Sequence, residues 1–112
     1  MKTVLHITSD EEGHFQHAIR CASLLCQHDE LLHQDVTILP HRRGVRLVSA
    51  DSPLSEDIQE VVGQGVRIKA GSTCFDANNL PHEALPGVEI VPSGVSELVR
   101  LQSEGYNYVK IP

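Results

Sequence analysis

The sequence is poor in aromatic residues. It has no tryptophan, and its two tyrosines and two phenylalanines make up 4% of 112 residues. The core must therefore be aliphatic, and a stacking platform for single-stranded nucleic acid, which needs several exposed rings, is excluded. Positive charge is scarce as well. Nine Lys and Arg stand against fifteen Asp and Glu, a formal net charge of −6, which opposes nonspecific binding to DNA or RNA. The one basic cluster, His41-Arg42-Arg43-Gly44-Val45-Arg46, reads as a solvated loop, with a small anion as the other candidate. No apolar run approaches the roughly 20 residues that a membrane span requires. Met1-Lys2-Thr3-Val4-Leu5 leads straight into a strand and lacks the features of a signal peptide. A cytoplasmic protein with no nucleic-acid or membrane partner is expected. Cysteine is present only as Cys21, Cys26 and Cys74, an odd number without scaffold spacing, which suits reduced thiols better than disulfides.

The remaining composition is that of an ordinary globular chain, and the length predicts a single domain over residues 1–112. A domain this small leaves much of its surface uncovered, so self-association would be an economical way to bury more.

Residues 2–8 read as a strand. Ser9, Asp10, Glu11 and Glu12 then offer a cap and an acidic first turn to a helix running to about His28. Phe15, Ala18, Ile19, Ala22, Leu25 and Cys26 recur at spacings of three and four and predict its buried stripe. Cys26 is expected in the core and Cys21 at its margin. Asp35 to Leu39 is a second strand, stopped by Pro40. Gly44 to Ala50 fits a strand by composition and a helical turn by the spacing of Val45 and Val48, and pattern alone leaves both open. Ser52-Pro53 predicts the start of a second helix, ended by Gly63 and Gly65. A third strand, Val66 to Ala70, and a short helix from about Thr73 to Asn79 follow. Val88 to Val91 is a fourth strand. The last helix is expected to bury Val95, Leu98, Val99 and Gln102, and Tyr106 to Ile111 closes the chain as a fifth strand.

Alternating strands and helices of this kind predict an α/β fold with parallel strands and right-handed crossovers. The carboxyl ends of parallel strands share one edge of the sheet, where open α/β folds hold their ligands. That edge collects Thr8, Ser9 and Asp10; Pro40, His41 and Arg42; Gly71, Ser72, Thr73 and Cys74; and Pro92, Ser93 and Gly94. Cys74 draws attention there, because a thiol in the first turn of a helix lies in the positive end of the helix dipole. Its plain alternative is a small buried residue beside Phe75. His41 is the candidate proton donor near it, with loop solvent as the alternative, and Ser93 reads as a helix cap.

Other chemistries find less support. No Gly-x-Gly-x-x-Gly follows the first strand and no phosphate-loop lysine motif is present, so no cofactor is expected. His14-x-x-His17-x-x-x-Cys21 sets three possible ligands along one helix, short of the four a structural zinc site takes, and no metal is expected.

Val62-Gly63-Gln64-Gly65-Val66-Arg67-Ile68-Lys69-Ala70 and the run from Leu85 to Tyr106, with its Gly-Val, Ser-Gly-Val, Leu-Val-Arg and Glu-Gly-aromatic elements, resemble the DsrE/DsrF-like (YchN-like) family. The resemblance covers nearly the whole chain. It implies a three-layer sandwich around a five-stranded, mainly parallel sheet, a helical turn within Gly44 to Ala50, and a homo-oligomer, commonly a trimer or hexamer. Sulfur-relay members carry persulfide sulfur on a cysteine just after the third strand, which implies a sulfur donor or acceptor protein as partner. Many members read Ala-Cys-x-Asn-(Ser/Thr)-Leu there, whereas this chain reads Ala70-Gly71-Ser72-Thr73-Cys74-Phe75. Gly71 occupies the family cysteine position and Cys74 lies three residues on, a helical step of about 300° and about 4.5 Å. The resemblance thus makes Cys74 the candidate carrier, in a pocket shaped by His41, Gly71, Ser72, Thr73, Ser93 and Gly94. The alternative it leaves is an oligomeric binding or scaffold module without the carrier cysteine.

Overall fold

Apolar side chains alternate along each strand, so each strand contributes to two faces of one sheet. A computed structural model describes residues 1–28 and 35–112. Its strands are β1 (Lys2–Ile7), β2 (Asp35–Pro40), β3 (Arg67–Gly71), β4 (Val88–Val91) and β5 (Asn107–Ile111). All are parallel, in the spatial order β4-β3-β2-β1-β5. The helices are α1 (Glu12–Gln27), α2 (Ser55–Gly63), α3 (Ser72–Ala77) and α4 (Gly94–Ser103), with a 3-10 segment over Arg42–Leu47. These are the parallel strands that the strand–helix alternation predicts, in the three-layer arrangement that the resemblance implies.

The two faces are unequal. On the first, Leu5, Ile7, Val36, Ile38, Ile68 and Ala70 pack against Phe15, Ala18 and Ala22 of α1, Ile58 and Val61 of α2, and Phe75 of α3. On the second, Val4 and Leu39 meet only Leu98 and Leu101 of α4, with Tyr106 alongside. The shortfall of apolar contacts on that face is filled by charge. Lys69 of β3 is 5% exposed, and its Nζ donates to Glu97 Oε2 of α4 at 2.7 Å. Arg100 donates to the same carboxylate through Nε at 2.7 Å and Nη2 at 2.6 Å. The Arg100 hydrogen bonds, followed by those from Lys69, hold the Glu97 carboxyl down at about 2.

Several local expectations are corrected. Cys26 is exposed rather than core. A 16-residue helix is about 24 Å long against about 20 Å for a six-residue strand, so the last turn of α1 outruns the sheet. Val95 and Val99 are 52% and 62% exposed, because α4 is rotated to bring Leu98 and Leu101 to the sheet and Glu97 to Lys69. Ser52 does not cap α2, which starts at Ser55. Its hydroxyl instead donates to Leu47 O at 2.6 Å and accepts from Leu54 N at 3.1 Å, closing a turn ahead of the helix. The stretch 44–50, which pattern alone leaves open, contains the end of the 3-10 segment and so meets the expectation of a helical turn that the resemblance implies. The cap expected before α1 also differs: Ser9 Oγ accepts from Glu11 N at 3.0 Å, and Glu11 holds the N-cap position without a side-chain bond.

A buried ion pair is most sensitive to losing one partner. Glu97→Ala strands the Lys69 ammonium and is expected to destabilise by about 3–5 kcal/mol. Arg100→Ala, at an exposed partner, is expected to cost about 1 kcal/mol or less. Urea denaturation of the two variants measures the contrast.

Candidate functional site

α3 packs on the first face of the sheet and α4 on the second. β3 and β4 are therefore neighbours whose following helices diverge, which opens a crevice at their carboxyl ends. Gly71 ends β3 and Gly94 begins α4, and their backbones touch. A Cβ on Gly71 would lie 2.4 Å from Gly94 N, closer than atoms can approach, and 3.2 Å from Ser93 C. A Cβ on Gly94 would lie 3.2 Å from His41 Cδ2 and 3.9 Å from Cys74 Sγ. The imidazole edge and the thiol thus both approach Gly94, with no hydrogen bond between them.

Local bonds fix each group. His41 N donates to Ile7 O at 2.8 Å, and its own carbonyl accepts from Gly44 N at 3.0 Å. Arg42 follows with φ +53°, a left-handed backbone that turns the chain sharply after the imidazole. Cys74 is the third residue of α3 and is 7% exposed. Asn78 ties the two segments together. Its Nδ2 donates to Cys74 O at 2.8 Å and to Arg42 O at 3.0 Å, and its Oδ1 accepts from Arg46 Nε at 3.2 Å. Ser72 Oγ donates to Pro92 O at 3.2 Å across the crevice. A cavity of about 280 Å³ opens beside the thiol, lined by Arg42, Arg43, Thr73, Cys74, Ala77 and Asn78.

Behind His41 lies a second imidazole. His6 Nε2 is 3.3 Å from His41 Nδ1, and His6 Nδ1 is 2.8 Å from Tyr108 Oη. Burial, then the neighbouring His41 and Lys110, push His6 down to about 4. Burial, then Arg42, lowers His41 as well. Both rings are neutral near pH 7, the state in which an imidazole can accept a proton.

The structure brings His41, Gly71, Cys74 and Gly94 close together, while Thr73 lines the cavity with Cys74, apart from the other three. Ser72 braces the cluster, and Ser93 faces its own helix, accepting from Ser96 N at 3.3 Å. Asp10 is drawn away to Arg43 Nε at 3.0 Å. His14 bonds Ser9 Oγ at 2.8 Å, His17 Nε2 lies 3.6 Å from Cys21 Sγ, and among the described residues no group of three or more His, Cys, Asp or Glu could hold a metal. A larger groove of about 570 Å³ runs between α1 and α2 and contains no strand-end residue. His6, Asn78 and Tyr108 are the members that the sequence pattern does not single out. The available signal was His6 itself, a polar residue at the same alternation phase as buried Val4.

A five-stranded parallel α/β sheet flanked by helices on both faces defines the class of protein. The chain belongs to the DsrE/DsrF-like family, whose model matches residues 2–111. It is similar to a protein of unknown function, MTH1491, from Methanobacterium thermoautotrophicum, at 33% identity, TM-score 0.87 and 97% coverage of both chains. The fold is shared with the ychN protein from E. coli, at 18% identity, TM-score 0.73, and 99% and 100% coverage. It is shared too with BT1422 from Bacteroides thetaiotaomicron, at 19% identity, TM-score 0.70, and 96% and 94% coverage. A comparison with curated proteins gave no match. No helix among the described residues is long and apolar enough to cross a membrane.

Two outcomes follow from this geometry. Gly71→Cys is expected to lower stability by about 1–3 kcal/mol through backbone overpacking, read as a fall in Tm. The second concerns pH. An unfolded histidine titrates near 6.5 and His6 near 4, so between those values the unfolded chain takes up a proton that the folded chain refuses. The stability at stake is fully present above pH 6.5 and falls as pH drops toward 4, by at most about 3 kcal/mol. Denaturation curves of wild type and His6→Gln across this window should differ in slope, with the variant flatter.

Proposed function

We propose that this protein is a sulfur-relay carrier that holds persulfide sulfur on Cys74. The observation that carries the reading is the approach of both the His41 imidazole edge and Cys74 Sγ to Gly94, with a cavity beside Cys74. Neutral His41 takes the Cys74 proton. The thiolate attacks the outer sulfur of a donor protein's persulfide, forming a new S–S bond at Cys74 and breaking that of the donor. The donor leaves as a thiolate and receives the proton. Thiol exchange of this kind needs no cofactor.

A second reading is an oligomeric binding or scaffold module. The burial of Cys74 and the presence of Gly71 at the family cysteine position favour it. Under either reading the protein is a cytoplasmic homo-oligomer, a trimer or hexamer. Val95 and Val99 on α4 support association, since exposed apolar residues on one helix suit a second copy.

Incubation with a low-molecular-weight persulfide followed by intact-mass analysis tests the carrier. Wild type should gain the mass of one sulfur atom, lost on thiol treatment, and Cys74→Ser should not. No gain on the wild type, under conditions that load an authentic carrier, would sink the reading. Light scattering at micromolar concentration should give a multiple of the chain mass, reduced by Val99→Glu.

A further inference from the structure

Two neutral imidazoles joined nitrogen to nitrogen, with a phenol at the far end, form a continuous line of exchangeable protons. Tyr108 Oη sits 2.8 Å from His6 Nδ1, and His6 Nε2 sits 3.3 Å from His41 Nδ1. Since Nδ1 of His41 is engaged with His6, the ring edge toward Gly94 is the Cδ2–Nε2 edge, and Cys74 Sγ lies 3.9 Å from where a Cβ on Gly94 would be. The three residues come from three elements: β5, β1 and the residue after β2. His6 is 8% exposed, and Tyr108, at 43%, opens the line to solvent at the β5 edge.

We propose that Tyr108, His6 and His41 form a proton wire that leads the Cys74 thiol proton to the β5 edge, with His6 and Tyr108 as positioning residues that fix the His41 tautomer. The proposal rests on the reading of Cys74 as the reacting thiol. In the resting arrangement His6 Nδ1–H donates to Tyr108 Oη, and His41 Nδ1–H donates to the bare His6 Nε2. His41 Nε2 is then bare and can accept the thiol proton. On transfer each hydrogen bond shifts by one proton: His41 gains at Nε2 and gives from Nδ1, His6 gains at Nε2 and gives from Nδ1, and the phenol passes a proton to water. The wire ends with the thiolate formed and no net charge left on either ring. The charged groups at its flanks, Lys110 beside His6 and Arg42 beside His41, oppose imidazolium and so favour onward transfer over storage of the proton. Lys110 is anchored to Thr8 Oγ1 at 3.2 Å and Ile111 O at 2.7 Å.

Nitrogen-15 NMR of the imidazoles in the full chain, with iodoacetamide labelling of Cys74 followed by peptide mass mapping, tests the wire. Wild type should show His41 protonated at Nδ1 only. Tyr108→Phe, a surface change that leaves the ring in place, removes the acceptor for His6 Nδ1–H. The wire predicts that both imidazoles then switch to the Nε2–H form. Labelling at pH 7 should fall about tenfold in Tyr108→Phe and in His6→Gln, a partial loss of the roughly 10²–10⁴-fold that general-base assistance supplies. It should recover as pH is raised and hydroxide takes over the removal of the proton. His41 protonated at Nε2 in the wild type, or an unchanged tautomer in Tyr108→Phe, would overturn the proposal. If iodoacetamide fails to reach Cys74, the tautomer result decides alone. Persulfide loading is read separately: a tautomer switch without loading keeps the wire and removes the carrier, and loading without a switch does the reverse.

Discussion

The site depends on one backbone contact, between the end of β3 at Gly71 and the start of α4 at Gly94. Any side chain at Gly71 would occupy the space of the Gly94 peptide. The contact draws α4 down onto the sheet edge and closes the direction in which a side chain at position 71 would point. It also leaves Gly94 bare where His41 and Cys74 approach it. The bare Gly71 and the packing of α4 against it are thus two aspects of one arrangement. Asn78 completes it by tying the carbonyl of Cys74 to that of Arg42, so the thiol and the imidazole segment are held by the same amide.

The second face of the sheet carries a different constraint. Among the described residues one helix covers it, and its apolar core is small. The Lys69–Glu97 pair holds that helix in place, and Arg100 saturates the carboxylate. Charge pairs of this kind specify geometry better than they stabilise it. Here the specified geometry is the rotation of α4, and with it the position of Gly94. Toward the N-terminal ends of the strands, Asp35 accepts from Thr37 Oγ1 at 2.8 Å and from the Tyr106 hydroxyl. Burial, then the bond to Asp35, pushes Tyr106 up to about 12, so this network is intact throughout the range in which the histidines titrate.

Most of the fold was legible because strand alternation and helix periodicity are local. β4 falls exactly where its apolar run predicts, and the strand-end residues do share one edge. The misplacements came from tertiary forces. The apolar stripe of α1 continues through Cys26, but the sheet ends before it does. Val95 and Val99 match the helical period as well as Leu98, and only the ion pair with Lys69, on another strand, selects the buried face. The site was legible in part: Cys74, His41 and Gly94 lie on the predicted edge. His6 and Tyr108 were not readable as site members, because their approach to His41 depends on the pairing of β1 with both β2 and β5. Gly71 could be read as a missing cysteine, but its close approach to Gly94 is visible only in three dimensions.

The three thiols differ enough in setting to test the account within one molecule. Cys26 is exposed, Cys21 half-buried and Cys74 buried. Partial burial pushes the Cys26 thiol up, but access alone would still have Cys26 and Cys21 alkylated ahead of Cys74. If His41 serves as base to Cys74, that order reverses. The direct measurement is competitive alkylation of the native protein at pH 7 with a small neutral reagent, with the label at each cysteine followed in time by peptide mass. The account predicts that Cys74 is modified first. Modification of Cys21 and Cys26 with Cys74 protected until the protein unfolds would contradict it.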